Sequence, residues 1–427
     1  MLNSSQQEVV DYFATFLAND EKELIIDAPA GYGKSYLVRY LVTEVFTNYL
    51  EGFKQLKMEP TYKQALLTAT TNKASDSLST ASGLPSCTIH SLFNLRVTPD
   101  YKTGETLLKP TAKTEVIEDA IIFIDECSMI DAELYKYIKE LTHNCKIIYV
   151  GDKYQLCPVK SGLSPIYTKN ITTKQLTIPM RNKNHKELID LCNQLKHTVE
   201  TGEFHDILIN SGVIDLYNSQ AAQQALKDAF VHNTLGETRV VTYTNKRSTE
   251  YNSYIKSLRG HSEVFTEGDT MISCGVCSLG KTMVHVEDEV YIKEILQRHM
   301  EVEVVKDMPP ITMTKMLILH KNTEYTVYVP ESFNQVKYLL KETAKKKLWE
   351  DYFRLKECFL DLRPKEACTI HKAQGSTVDT VIIDISDLST CTVPSMAARL
   401  LYVAVSRAKE RVIFYGNIKP KYGNFIL

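Results

Sequence analysis

The run Ala28-Pro29-Ala30-Gly31-Tyr32-Gly33-Lys34-Ser35 lies between a short apolar stretch, Glu23 to Asp27, and a helical run from Tyr36 to Leu50. That is the setting of a phosphate loop, and it demands a strand, a tight turn and a helix in that order. Small residues let backbone N–H groups curl around phosphate oxygens, the Lys34 ammonium answers the β and γ oxygens, and the Ser35 hydroxyl is a ligand for Mg2+. Pro29, Ala30, Gly31, Tyr32, Gly33 and Tyr36 are the other loop residues expected against a nucleotide. Ala28 stands where the usual pattern has its first glycine.

A glycine-lysine-serine triplet alone is weak evidence. It gains force from Ile121-Ile122-Phe123-Ile124-Asp125-Glu126, an apolar strand ending in two carboxylates. In this pairing Asp125 holds Mg2+, largely through water, and Glu126 orients and deprotonates an attacking water. The plainer alternative is a buried strand followed by a solvated acidic turn.

With 427 residues, 44% of them hydrophobic, the chain can bury more than one core. Ten cysteines are scattered without a paired framework. No basic-plus-apolar leader precedes the first helical run, so a cytoplasmic protein with reduced thiols is expected, in the host cytoplasm if the chain is phage-encoded. No apolar stretch is long enough to span a bilayer. Cys274 and Cys277 form one close pair, but no second pair or spaced histidine joins them, and ordinary loop or core cysteines are expected there. The net charge of −2 leaves no global basic field, so any nucleic-acid site must be a local groove. The densest basic run, Lys341 to Lys347, reads as the solvated face of a helix.

Nearly continuous apolar runs at Leu24, Ala65, Ile121 and Lys146 suit strands buried on both faces of a parallel α/β sheet, and the pattern restarts at Thr238, Thr380 and Arg411. Two α/β domains are therefore expected: residues 1–177, and 178–261 continued by 363–427. Between the last two pieces, residues 262–362 carry short β-like runs followed by a helical tail from about Phe333 to Leu360, as in an inserted small β-rich domain. Within the first domain, about 88–116, Pro99-Asp-Tyr-Lys-Thr-Gly lies between apolar residues, as in a projecting β-hairpin.

Three further features extend the pattern. Gly151-Asp-Lys-Tyr-Gln155 follows a strand, which would put the Gln155 amide beside the phosphates as a γ-phosphate sensor. Arg181, in Leu176-Thr-Ile-Pro-Met-Arg, and Arg407, in Leu401-Tyr-Val-Ala-Val-Ser-Arg, would approach from either side of a cleft. Arginines so placed spread transition-state charge on the γ-phosphoryl group, an effect of about 10³–10⁵ in rate.

Taken in order, Gln6, the phosphate loop, Leu67-Thr-Ala-Thr-Thr, Asp125-Glu126, Gly151 to Pro158, Arg181, Thr369-Ile-His-Lys-Ala-Gln-Gly-Ser and Arg407 resemble the superfamily-1 helicases over residues 6 to about 412. Thr88-Ile-His-Ser-Leu-Phe and Thr369-Ile-His-Lys-Ala-Gln-Gly look most like the RecD-like branch, and the compact size looks like the phage Dda helicases. The resemblance implies an α/β fold of two RecA-like motor domains with ATP and Mg2+ at their interface. It also implies that the hairpin is a strand-separating pin and the insert is an SH3-like domain. Cys157 departs from the family, which often has proline there.

Carried over residue by residue, the resemblance implies that Gln6 reads the adenine edge and that Gln374 and Gly375 face the γ-phosphate. It implies that Thr68, Thr70, Asn72, Thr88 and His90 contact a single strand from the first domain, with Asn245, Thr369, His371 and Lys372 doing so from the second. Such small polar groups can bond phosphates without reading bases; taken singly, each would more often be a cap or a satisfied core group. Tyr101 or Leu107 is the candidate to stack at a fork, and Phe93 reads as core. The implied activity is an ATP-dependent DNA helicase moving 5′ to 3′, probing single-stranded and fork DNA, monomeric, with replication or single-strand-binding proteins as further partners. An RNA helicase and a nucleotide-gated DNA clamp or remodeller remain the alternatives.

Overall fold

The computed structural model describes residues 2–100, 106–156, 163–180, 184–280 and 282–426. Arg181 and Tyr101, named above, lie outside them, as does Cys157. The chain divides into two compact units, Met1–Leu95 with Pro110–Ser248 and Cys368–Leu427, and Arg96–Lys109 with Thr249–Ala367.

The first unit is built on two parallel sheets. In the first sheet the strands run Thr172–Gln175, Glu23–Asp27, Lys146–Gly151, Ala120–Asp125, Gln64–Ala69 and Ser86–Thr88 in spatial order, each paired in parallel with its neighbour. Ile121, Ile122 and Ile124 have no exposed surface, as expected of strands covered on both faces. This order sets the ends of Glu23–Asp27, Lys146–Gly151 and Ala120–Asp125 side by side, although they are distant in sequence. Ligands of open α/β sheets gather at such carboxyl ends.

The helix Ser4–Ala18 starts with a capping box in which Asn3 and Gln6 exchange side-chain and backbone hydrogen bonds. It buries Val9, Val10, Phe13, Phe16 and Leu17 against the sheet. Its far end is closed by Lys146, fully buried, whose ammonium donates to the carbonyls of Asn19 at 2.6 Å and Glu21 at 2.5 Å and sits 4.4 Å from the Phe16 ring centroid. Removing the ammonium strands carbonyls at a helix C-terminus. Lys146→Met is therefore expected to lower stability in urea unfolding by about 1–3 kcal/mol; an unchanged midpoint would deny the cap its role.

The second sheet orders Ile214–Tyr217, Ala408–Tyr415, Val378–Asp384, Thr238–Thr242 and Ala367–Thr369. Its core takes Leu188, Leu191 and Leu195 from the helix Lys186–Thr201 and Ala397 with Leu400 to Val405 from the apolar helix Pro394–Val405. Two α/β sheets are what the sequence predicts.

The second unit holds an antiparallel sheet in the order Thr323–Pro330, Ile311–His320, Glu289–Val302, Thr270–Ser273, Leu362–Pro364. The helices Phe333–Lys345 and Trp349–Glu357 pack on it through Val336, Leu339 and Leu355. The β-rich insert with a helical tail is thus present. The unit reaches past 262–362 at both ends because Asn252 both donates to the Ala367 carbonyl (2.9 Å) and accepts from its N–H (2.8 Å), while Arg259 pairs with Glu366. The hairpin strands Leu95–Pro99 and Thr106–Pro110 pair with each other, and Arg96–Lys109 groups with this second unit rather than with the first domain, where the sequence put it. Lys341, Lys345, Lys346 and Lys347 are exposed, and the nine described cysteines are free thiols. Among the described residues no helix is long and apolar enough to cross a membrane.

Candidate nucleotide site and strand-contact residues

The phosphate loop leaves its strand at Asp27 and turns through Gly31 and Gly33, both in the left-handed region (φ 86° and 83°), before the helix Lys34–Tyr40 begins. Only glycine fits at 33: a Cβ there would meet Gln6 Nε2 at 2.7 Å and Met180 Cγ at 3.1 Å. Ala28, the departure from pattern, is absorbed without disturbance, since its methyl lies in the core and its N–H donates to the Gly151 carbonyl at 2.7 Å. Tyr32 is nearly buried, its hydroxyl accepting from Lys196 Nζ at 3.1 Å, while Tyr36 is exposed.

Gln6 is fully buried beside this loop. Its Oε1 accepts from the Asn3 N–H at 3.1 Å, but its Nε2 has no hydrogen-bond partner. A buried, unpaired amide donor is costly, and a bound base edge would relieve it.

Charge is concentrated at the three strand ends. Burial pushes the carboxyls of Asp27 and Asp125 up to about 6, the latter against the pull of Lys34. Burial also works against the Lys34 ammonium, yet Glu126, Asp125 and Asp152 together outweigh it and hold its pKa above the usual value, so the group stays charged. Arg407 is near enough to oppose them. Asp125 Oδ1 accepts from the Glu126 N–H at 2.9 Å. Glu126 sits at φ 52°, uncommon for a residue other than glycine, asparagine or aspartate. Its Oε2 is buried without a hydrogen-bond partner. A left-handed backbone and an unpaired buried carboxylate oxygen thus coincide in this one residue. Ser35 and Asp125 offer the oxygen donors that a hard divalent cation takes.

The loop after Gly151 is gripped from the second sheet's side. Asp152 is fully buried and accepts from the Tyr402 hydroxyl at 2.6 Å and from Gln155 Nε2 at 3.3 Å. Arg399 donates to the carbonyls of Lys153 and Gln155, both at 2.6 Å. Arg407, also buried, donates to the carbonyls of Val403 (3.1 Å) and Ser376 (3.3 Å) and to Ser406 Oγ (2.9 Å). The Ser376 bond sets it beside the turn made by Gln374 and Gly375, the latter at φ 78°. Sequence reasoning missed Asp152, Arg399 and Tyr402. The signal was there in part: Arg399 and Tyr402 are three apart on the helix that delivers Arg407, and so share a face.

The strand-contact set divides. Thr68 is corrected: it has no exposed surface and its hydroxyl is bound to the Phe123 carbonyl at 2.8 Å inside the sheet, so it cannot touch a ligand. Thr88 is nearly buried and caps the short helix Ile89–Leu92 through the Ser91 N–H. Thr70 leans on the acidic turn, donating to the Glu126 carbonyl at 3.2 Å. Asn72 opens the helix Asn72–Ser82, and Asn245 opens Asn245–Leu258 in an exposed position. His90 is half-buried, with burial lowering its pKa, which favours the neutral ring. Thr369 is the nearly buried N-cap residue of Ile370–Ala373, His371 is exposed and Lys372 half-buried. Leu107 is exposed on the hairpin, and Phe93 is core.

Comparison with known proteins adds to this geometry. An AAA domain family matches residues 13–161 and the UvrD-like helicase C-terminal domain matches residues 366–415. The ATP-dependent DNA helicase Dda of Enterobacteria phage T4 is 24% identical, covering 97% of this chain and 99% of its own length. An uncharacterized protein of Acanthamoeba polyphaga mimivirus is 22% identical over the same shares. Among solved structures, the Bacteroides Pif1 helicase in complex with ADP-AlF3 and ssDNA matches at a TM-score of 0.53 and 15% identity, over 99% of this chain and 94% of that one, a likeness of fold.

Proposed function

We propose that the chain, which resembles the superfamily-1 helicases and the phage T4 Dda helicase, works as an ATP-dependent DNA helicase. Its direction is 5′ to 3′ along a single strand. The observation that carries the reading is the unpartnered buried carboxylate oxygen of Glu126, held in a strained turn beside the charged Lys34.

In this account Gln6 takes the adenine edge through its free Nε2, and the loop N–H groups with Lys34 take the β and γ phosphates. Ser35 and Asp125 would hold Mg2+, which would supply neutralising charge on the phosphate oxygens. Glu126 orients the attacking water and accepts its proton. Arg407 meets charge developing on the γ-phosphoryl, with Arg181 as a second cation. Gln155 senses the γ-phosphate, and Arg399 and Tyr402 carry its state to the second sheet because they already hold the Asp152–Gln155 loop.

Thr70, Asn72 and His90 grip the strand from one side, and Asn245, Thr369, His371 and Lys372 from the other. Alternating grip tied to nucleotide state gives net travel. The hairpin splits the duplex, the insert serves as an SH3-like support, and the protein acts as a cytoplasmic monomer alongside replication or single-strand-binding proteins. The test is ATP-driven unwinding of DNA duplexes bearing a 5′ or a 3′ tail, with RNA equivalents. Preference for the 5′-tailed DNA supports the reading. A 3′ requirement would reverse the direction, and RNA preference would replace the substrate.

A further inference from the structure

Away from the nucleotide cleft, the side chains of His197, Glu203 and His205 form a cluster whose donor atoms all lie within 4.8 Å of one another. The backbone beneath them is fixed. The helix Lys186–Thr201 ends at Gly202 (φ 78°), whose N–H returns to the Thr198 carbonyl at 2.9 Å, and the Glu203 N–H donates to Thr201 Oγ1 at 3.1 Å. Phe204 then turns inward against Tyr422, with ring centroids 4.8 Å apart. Gln194 Nε2 donates to the Asp206 carbonyl at 3.0 Å, and the Ile207 strand pairs with Phe425. These anchors lay the His205 ring over that of His197, with centroids 5.8 Å apart and planes 22° from parallel.

We propose that His197, Glu203 and His205 bind a first-row divalent transition metal, with Zn2+ as the reference ion and water completing its coordination. Two imidazoles and one carboxylate are a donor set zinc accepts. Tetrahedral bonds of about 2.0–2.1 Å require donors about 3.3 Å apart, and rotation of three exposed side chains closes the difference without moving backbone. Exposure also leaves the donors open to an entering ion and spares them a desolvation cost. The ion would tie the helix end to the following loop. That same helix end carries Glu200, which accepts from the Tyr154 hydroxyl (2.6 Å) and Lys153 (3.0 Å) of the γ-phosphate-sensing loop.

The test is calorimetric titration of ZnCl2 into the full-length protein and into H197A/H205A, with H197Q/H205Q as a bulk-preserving second variant. Free thiols also bind zinc, and the exposed Cys358 is one, but they are common to all three proteins and cancel in the difference. The expected result is one extra equivalent in the wild type, accompanied by a zinc-dependent rise in melting temperature that both double variants lose. With Co2+, the extra equivalent should absorb without sulfur-to-metal charge transfer. Equal stoichiometry and affinity in all three proteins would overturn the site, as would a wild type in which no extra equivalent binds.

Discussion

Replacing Glu126 with glutamine is expected to slow ATP hydrolysis about 10²–10⁴-fold, the usual worth of a positioned general base, while nucleotide still binds. Glutamine keeps the shape and can hold the left-handed turn at φ 52°, so the phosphate loop should stay assembled. What is lost is a carboxylate oxygen that is buried and makes no protein hydrogen bond, and a neutral amide cannot accept the proton of an attacking water. One side effect runs the other way. Glu126 is the strongest of the charges that raise the Lys34 pKa, and Asp125 and Asp152 remain to keep the ammonium charged. Binding of a fluorescent ATP analogue, measured beside steady-state turnover, separates the two roles. If affinity falls as far as turnover, Glu126 is a structural residue.

The second large effect is at Arg407. Removal of an arginine that meets the γ-phosphoryl group costs about 10³–10⁵ in rate, so Arg407→Ala should reduce turnover far more than nucleotide affinity. The guanidinium is buried and donates to two carbonyls and a hydroxyl, all uncharged, and its charge is felt at Lys34. Its bonds to Val403 and Ser376 also hold the turn at Gln374 and Gly375, so some loss of melting temperature is expected. Arg407→Lys keeps the charge but not the fork of donors. A lysine variant that restores stability without restoring rate identifies the chemical role, and unchanged turnover in the alanine variant removes Arg407 from the site.

How much of this was legible in the chain depended on whether the information was local. The phosphate loop, the Asp125–Glu126 strand end and the parallel strands are written in adjacent residues, and the structure puts them where the spacing predicts. Thr68 was misread for a physical reason. It sits in a run of small polar residues at a strand end, and only the pairing with Ala120–Asp125 reveals that its hydroxyl points to the Phe123 carbonyl inside the sheet. The grip on the loop after Gly151 was illegible because its parts are about 250 residues apart: Tyr402 on Asp152, Arg399 on Lys153 and Gln155. The orphaned Nε2 of Gln6 was hidden too, since the sequence shows an N-terminal glutamine suited to capping. The structure gives it that role on one side of the amide and leaves the other side open.

The central claim is that hydrolysis at Glu126 powers strand separation. Its most direct test is a stopped-flow measurement of a 5′-tailed DNA duplex opened by the wild type and by Glu126→Gln, each with ATP and with a non-hydrolysable analogue. The account predicts strand release by the wild type with ATP alone, and none by the variant although it binds both nucleotide and DNA. Release by the variant with ATP, or by the wild type with the analogue, would contradict it.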